Sequence, residues 1–208
     1  MKFTKTQRGW AMYDWANSVY SLVISTVLFP LYYEAVTKNE TNEVLFLGRY
    51  WENTVVYSYV IAASYLTISI LSPYLAAMAD RTGRRKVFMR TFMIIGALST
   101  SCMGLFTAAN PWLGLCLAFF ASVGFTGSIV FYNSFLPVIA PPEMQDRLSA
   151  RGFSLGYFGS AVYTTALWQV FGDIFPTFTA ICTFEKVCFE ITVFVIIECG
   201  INDFLIVL

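Results

Sequence analysis

Histidine is absent from this 208-residue chain, and charged side chains make up only 12% of it. Without imidazole there can be no histidine-ligated metal centre, and an interior proton relay has to run over carboxylates or tyrosines. The five cysteines include no C-x-x-C pair, and Cys102 and Cys116 lie inside apolar runs, so neither a disulfide framework nor a zinc site is expected. No G-x-x-x-x-G-K-[ST] loop occurs, which argues against ATP-driven work by this chain alone. The apolar runs carry no paired carboxylates and no Ser/His/Asp set. We therefore expect no enzyme, no cofactor and no metal, and no nucleic-acid partner.

What the chain has instead is apolar length. Hydrophobic residues make up 57% of it, against about 45–50% in an ordinary soluble domain with about 25% charge. Mean hydropathy is +0.64. This composition predicts an all-α polytopic membrane protein, and at about 20 apolar residues per span the length accommodates five to six transmembrane helices. Apolar runs place helices near 10–33, 55–78, 88–107, 112–139 and 153–171. The first run carries Asp14 and Asn17 and lacks a small-residue cleavage site, so it reads as a retained span and not as a signal peptide. A polar loop is expected at 143–151. Past residue 171 the pattern degrades, because Asp173, Glu185, Lys186, Glu190, Glu198 and Asp203 interrupt what should be a sixth span. Two readings fit the irregular tail 172–208: a tilted sixth helix within 177–197, or out-of-frame sequence.

Basic residues segregate along the chain. Lys2, Lys5 and Arg8 precede the first span, Arg81, Arg84, Arg85, Lys86 and Arg90 lie between the second and third, and Arg147 and Arg151 precede the fifth. The flanking connections hold only Lys38 and Arg49. By the positive-inside rule the N-terminus is cytoplasmic, and the chain is an integral, multi-pass protein of a lipid bilayer. The first external loop contains the sequon Asn39-Glu40-Thr41, meaningful only in a eukaryotic secretory route.

Two clusters of polar residues carry the functional reading. In the first span, Asp14, Asn17, Ser18, Ser21 and Ser25 recur at helical spacing and are expected to share one face. Lipid cannot satisfy such a stripe, so it faces other helices or a wet cavity. One reading leaves Asp14 interacting with the first turn of its own helix while the serines bond back to the backbone; the other makes it part of a substrate or ion path. In the fourth span Tyr132 and Asn133, with Ser122 and Thr126, are a candidate cavity lining. The spacings Gly124-x-x-x-Ser128 and Gly152-x-x-x-Gly156 are expected to serve close helix packing. Between the second and third spans, Asp80-Arg81-Thr82-Gly83-Arg84-Arg85-Lys86 forms a tight charged turn in which Gly83 permits the reversal. Membrane anchoring explains the basic residues there without explaining Asp80 and Gly83.

That turn resembles the G-x-x-x-D-R-x-G-R-[RK] loop of major facilitator transporters, with Ala76 in the place of the leading Gly. The opening Tyr13-Asp14-Trp15-Ala16-Asn17-Ser18 is similar to the vacuole-effluxer branch of that superfamily, related to vacuolar amino-acid exporters of yeasts. Leu71-Ser72-Pro73, Asn133-Ser134-Phe135-Leu136-Pro137 and Ser149-Ala150-Arg151-Gly152-Phe153 agree with it in order, and the resemblance covers residues 8 to 160. It implies that residues 1–171 are the N-terminal half of a transporter. It further implies alternating-access movement of a small solute such as an amino acid, and a cytoplasmic gate at Asp80, Arg81, Gly83, Arg84 and Arg85 with Arg151 as partner. The competing reading is a non-transporting fragment, or a half-module that pairs with another chain or forms a homodimer.

Overall fold

A computed structural model describes residues 3–37, 43–46, 48–107 and 110–171. The sequon, the tail 172–208 and the expected sixth helix lie outside the described residues. Five long helices dominate. They are α1 (Lys5–Thr37), α2 (Asn53–Thr82), α3 (Arg85–Leu105), α4 (Pro111–Ile139) and α5 (Pro142–Phe171). The first four are long and apolar enough to cross a membrane. This is an all-α membrane bundle.

Local chemistry sets the ends. α1 starts at Lys5, ahead of the apolar run, because Thr4 and Gln7 form a capping box: Gln7 N–H donates to Thr4 Oγ1 at 3.3 Å and Thr4 N–H to Gln7 Oε1 at 3.0 Å. The Gln7 amide also donates to Ile139 O at 3.0 Å, tying the start of α1 to the end of α4. α2 ends at Gly83, whose φ of +64° suits glycine, and Arg84 N–H donates back to Ala79 O at 3.1 Å. The expected polar loop at 143–151 is helix instead. Pro142 opens α5 with its fixed φ, and Glu143 in the first turn faces the positive end of the helix dipole. Two short strands, β1 (Glu43–Phe46) and β2 (Arg49–Glu52), form an antiparallel hairpin where only a loop was expected. Gly48 supplies its φ of +77°, and Phe46 stacks on Trp112 at 5.1 Å.

α3 packs on α4, α1 on α5, and α2 on α4. Lipid is as apolar as leucine, so contact quality and not apolar burial holds such helices together. Two aromatic-rich clusters fill the bundle. One contains Trp10, Tyr13, Met89, Met93, Phe131, Tyr132 and Leu148. The other contains Tyr20, Phe29, Tyr32, Tyr33, Phe106 and Ala121.

Backbone comes closest to backbone, among the helix glycines, between α3 and α4 at Gly96 and Gly124. A Cβ on Gly124 would lie 2.5 Å from Gly96 Cα and 2.7 Å from Phe92 O, whereas one on Gly96 would find its nearest atoms at 3.5 Å. Backbone cannot swing aside as a side chain can. Gly124→Ala is therefore expected to destabilise the bundle by about 1–3 kcal/mol. Gly96→Ala should change stability by less than about 1 kcal/mol, since alanine also favours helix. Denaturant titration of both variants in mixed micelles checks the asymmetry, and equal losses would contradict it.

Candidate functional site

The polar residues expected to share one face of α1 divide between two neighbouring environments. Asp14 and Ser18 turn toward α5, where glycines make room for them. A Cβ on Gly152 would lie 3.0 Å from Asp14 Oδ2 and 3.2 Å from the Trp10 ring, and one on Gly156 would lie 3.0 Å from Ser18 Cβ. Gly159 likewise receives the indole of Trp15. Asp14 is half-buried and makes no side-chain hydrogen bond or ion pair among the described residues. Ser21 is half-buried as well, and its carbonyl accepts from Thr26 Oγ1 at 2.7 Å.

Asn17 points elsewhere. With Tyr13 and Tyr20 it lines a small cavity whose other walls are Met93, Gly96, Ala97 and Thr100 of α3 and Ala121, Gly124, Phe125 and Ser128 of α4. The cavity sits at the seam of the two core clusters, since Tyr13 and Met93 belong to one and Tyr20 and Ala121 to the other. Its volume is about 40 Å³. At about 10–15 Å³ for each water, that is room for roughly three waters or one polar group.

No wall of this cavity carries a charge. Thr100 Oγ1 donates to Gly96 O and Ser128 Oγ to Phe125 O, both at 2.8 Å, so their remaining lone pairs are acceptors. The Tyr20 hydroxyl is 3.2 Å from Ser122 Oγ. The Asn17 amide makes no hydrogen bond among the described residues and offers both donors and an acceptor to the space beside it. The arrangement can hold a small, uncharged group that both donates and accepts.

Tyr132 and Asn133 are not brought to this cavity. The Tyr132 ring stacks between Trp10 at 4.4 Å and Tyr13 at 4.8 Å. Its hydroxyl donates to Trp10 O at 3.1 Å, and Trp10 Nε1 donates to Tyr132 O at 3.3 Å, so α1 and α4 are clasped reciprocally. Asn133 is exposed on another face of α4. The sequence reading missed Tyr13, Tyr20, Thr100 and Ser128. Tyr13, Asn17 and Tyr20 follow at steps of four and three, so the stripe was present in the sequence one residue away from the one chosen.

At the charged turn, Asp80 Oδ1 accepts from Arg85 Nε at 2.6 Å across Gly83. Arg81 and Arg84 are exposed, and Arg84 is the residue before α3. Arg151 does not reach Asp80; its guanidinium lies over the Phe3 ring, 5.0 Å from the centroid.

With that geometry in hand, the comparisons decide the family. The model of the family described as "Vacuole effluxer Atg22 like" matches residues 3–173. The chain belongs to this family. Among its relatives, an "Uncharacterized MFS-type transporter YxiO" of Bacillus subtilis (strain 168) is 37% identical over 162 residues, 77% of this chain and 36% of the relative. Autophagy-related protein 22 of Pichia angusta is 33% identical over 109 residues, 50% of this chain and 20% of the relative. Multidrug resistance protein MdtG of Dickeya zeae (strain Ech586) is 31% identical over 142 residues, 67% of this chain and 34% of the relative. The first of these relatives is named a transporter, and none of the three is named an enzyme. The chain spans about a third or less of the length of these relatives. No solved structure matches it.

The Asp80–Arg85 pair is solvent-exposed, with side chains 55% and 36% accessible, so Asp80→Ala should cost at most about 1 kcal/mol. Gly83→Ala forces a β-carbon into the left-handed region and should cost about 1–2 kcal/mol. Unfolding titrations of the two variants give the order, and a larger loss at Asp80 would assign that pair a bigger structural role than its exposure allows.

Proposed function

We propose that this chain works as the N-terminal portion of a secondary transporter that moves a small solute by alternating access. The observation carrying this reading is the uncharged, mostly apolar cavity into which the Asn17 amide projects, set at mid-bundle between the two core clusters. A cavity of about 40 Å³ holds one functional group, so the remainder of the binding site belongs to further chain of the kind the longer relatives have. The solute proposed is an amino acid, as the resemblance of the opening motif to vacuolar amino-acid exporters implies. Asn17 is the residue that contacts it, and Asp14 and Ser18 serve the neighbouring path, with Asp14 as the group through which an ion gradient is coupled.

The orientation proposed is N-terminus cytoplasmic, with the Asp80–Arg85 turn and the start of α5 on the same side. There Asp80, Arg81, Gly83, Arg84 and Arg85 form the gate, and Arg151 joins it when its contact with Phe3 opens. The second reading is a half-module that transports only when paired with another chain or with a second copy. What favours it is the third-length match to the relatives and the long face of α2, where Tyr65, Leu66, Ile70 and Tyr74 are exposed among the described residues.

Reconstituted vesicles test the proposal. Asn17→Ala should lower amino-acid flux by about tenfold or more, because a partner of the solute is lost with no charge change. Asp14→Asn should abolish flux driven by an ion gradient while leaving counterflow of solute and membrane insertion intact. Normal gradient-driven flux in Asp14→Asn would remove Asp14 from coupling, and normal flux in Asn17→Ala would remove the cavity from the transport path.

A further inference from the structure

α1 is not one regular helix. Lys5–Val19 is α-helical, Tyr20–Leu28 winds as a π-helix, and Phe29–Thr37 returns to α. In the π register each N–H reaches back five residues, and Phe29 N–H donates to Ile24 O accordingly. The next donor in that register, for Ser25 O, would be residue 30. That residue is Pro30, which has no N–H. Phe29, the α-register donor for the same carbonyl, is already engaged with Ile24. Ser25 O is thus left without a donor on its own helix, inside a span where lipid offers none.

The donor comes from α2. Tyr57 Oη–H donates to Ser25 O at 2.9 Å. The Tyr57 ring also packs on Phe29 at 5.4 Å and Tyr33 at 6.2 Å, one residue before Pro30 and three after it. At the other end of the π segment stands Tyr20, which lines the cavity and contacts Ser122. One hydroxyl therefore holds the register of a segment that begins at the cavity wall.

We propose that the Tyr57–Ser25 hydrogen bond is a latch: it holds the π segment of α1 in register, and its release frees Phe29–Thr37 to hinge at Pro30 and shifts Tyr20 at the cavity. Its purpose rests on the transport reading. The latch itself can be measured without transport.

Pro30→Ala supplies the missing N–H, so it should make the Tyr57 hydroxyl redundant. Amide hydrogen exchange of the full chain in lipid nanodiscs reads this directly. Tyr57→Phe alone should speed exchange over residues 22–36 by about tenfold, and Pro30→Ala/Tyr57→Phe should bring it back to within about twofold of the parent chain. No acceleration in Tyr57→Phe, or additive effects of the two substitutions, would overturn the latch. If Tyr57→Phe loosens the whole bundle, exchange in α4 rises as well, and recovery in the double variant still decides the matter. A positive cycle in a chain whose flux is indifferent to Asn17 would keep the latch and remove the transport reading.

Discussion

A bilayer offers no hydrogen bonds, so every polar group inside a span must find its partner in the protein or in a wet cavity. That constraint sorts the polar residues of this chain. Ser58, Thr67, Ser69, Thr91 and Thr165 turn their hydroxyls back to carbonyls on their own helices, which uses their donors and leaves only acceptor lone pairs. Trp10 and Tyr132 satisfy each other across α1 and α4. Among the groups left without a partner in the described residues are the Asp14 carboxylate, the Tyr33 and Thr126 hydroxyls and the Asn17 amide, and beside Asn17 lies an uncharged cavity between the two core clusters.

Glycine decides where the helices can come close enough for this sorting to happen. Gly96 and Gly124 set the α3–α4 crossing that forms one wall of the cavity, while Gly152, Gly156 and Gly159 make the groove that receives Asp14, Ser18 and Trp15. Because apolar burial gives little between helices in lipid, these close approaches carry the packing that leucine would carry in water. A carboxylate laid against bare glycine backbone meets no side-chain donor among the described residues, and in the proposed transporter this leaves Asp14 available for coupling that a fixed ion pair would prevent.

Four of the spans were legible because runs of about 20 apolar residues have few other uses. The charged turn was legible in part: Gly83 has the left-handed backbone that its position required, but the partner of Asp80 is Arg85, five residues on, and not Arg151. Residues 143–151 were misread because charge suggested a loop, while Pro142 and Glu143 are good first-turn residues. The β-hairpin was obscured in the same way, with Glu43, Arg49 and Glu52 masking short alternating strands around Gly48. The polar stripe was resolved only to within one residue. Tyr13, Asn17 and Ser18 lie on the regular α-helix before the π segment, where one residue is about 100° of rotation, and the wider turns from Tyr20 displace only later positions such as Ser21 and Ser25.

Adjacent residues of α1 face different surroundings, Asn17 a cavity with room for water and Ser18 a glycine groove. Single cysteines at the two positions, in a chain whose five native cysteines are replaced by alanine, test it most directly through alkylation by a small water-soluble maleimide in native membranes. The account predicts that Asn17→Cys reacts about tenfold faster or more than Ser18→Cys, because only the first thiol meets the water needed to form its thiolate. Equal rates, or faster reaction at position 18, would contradict it.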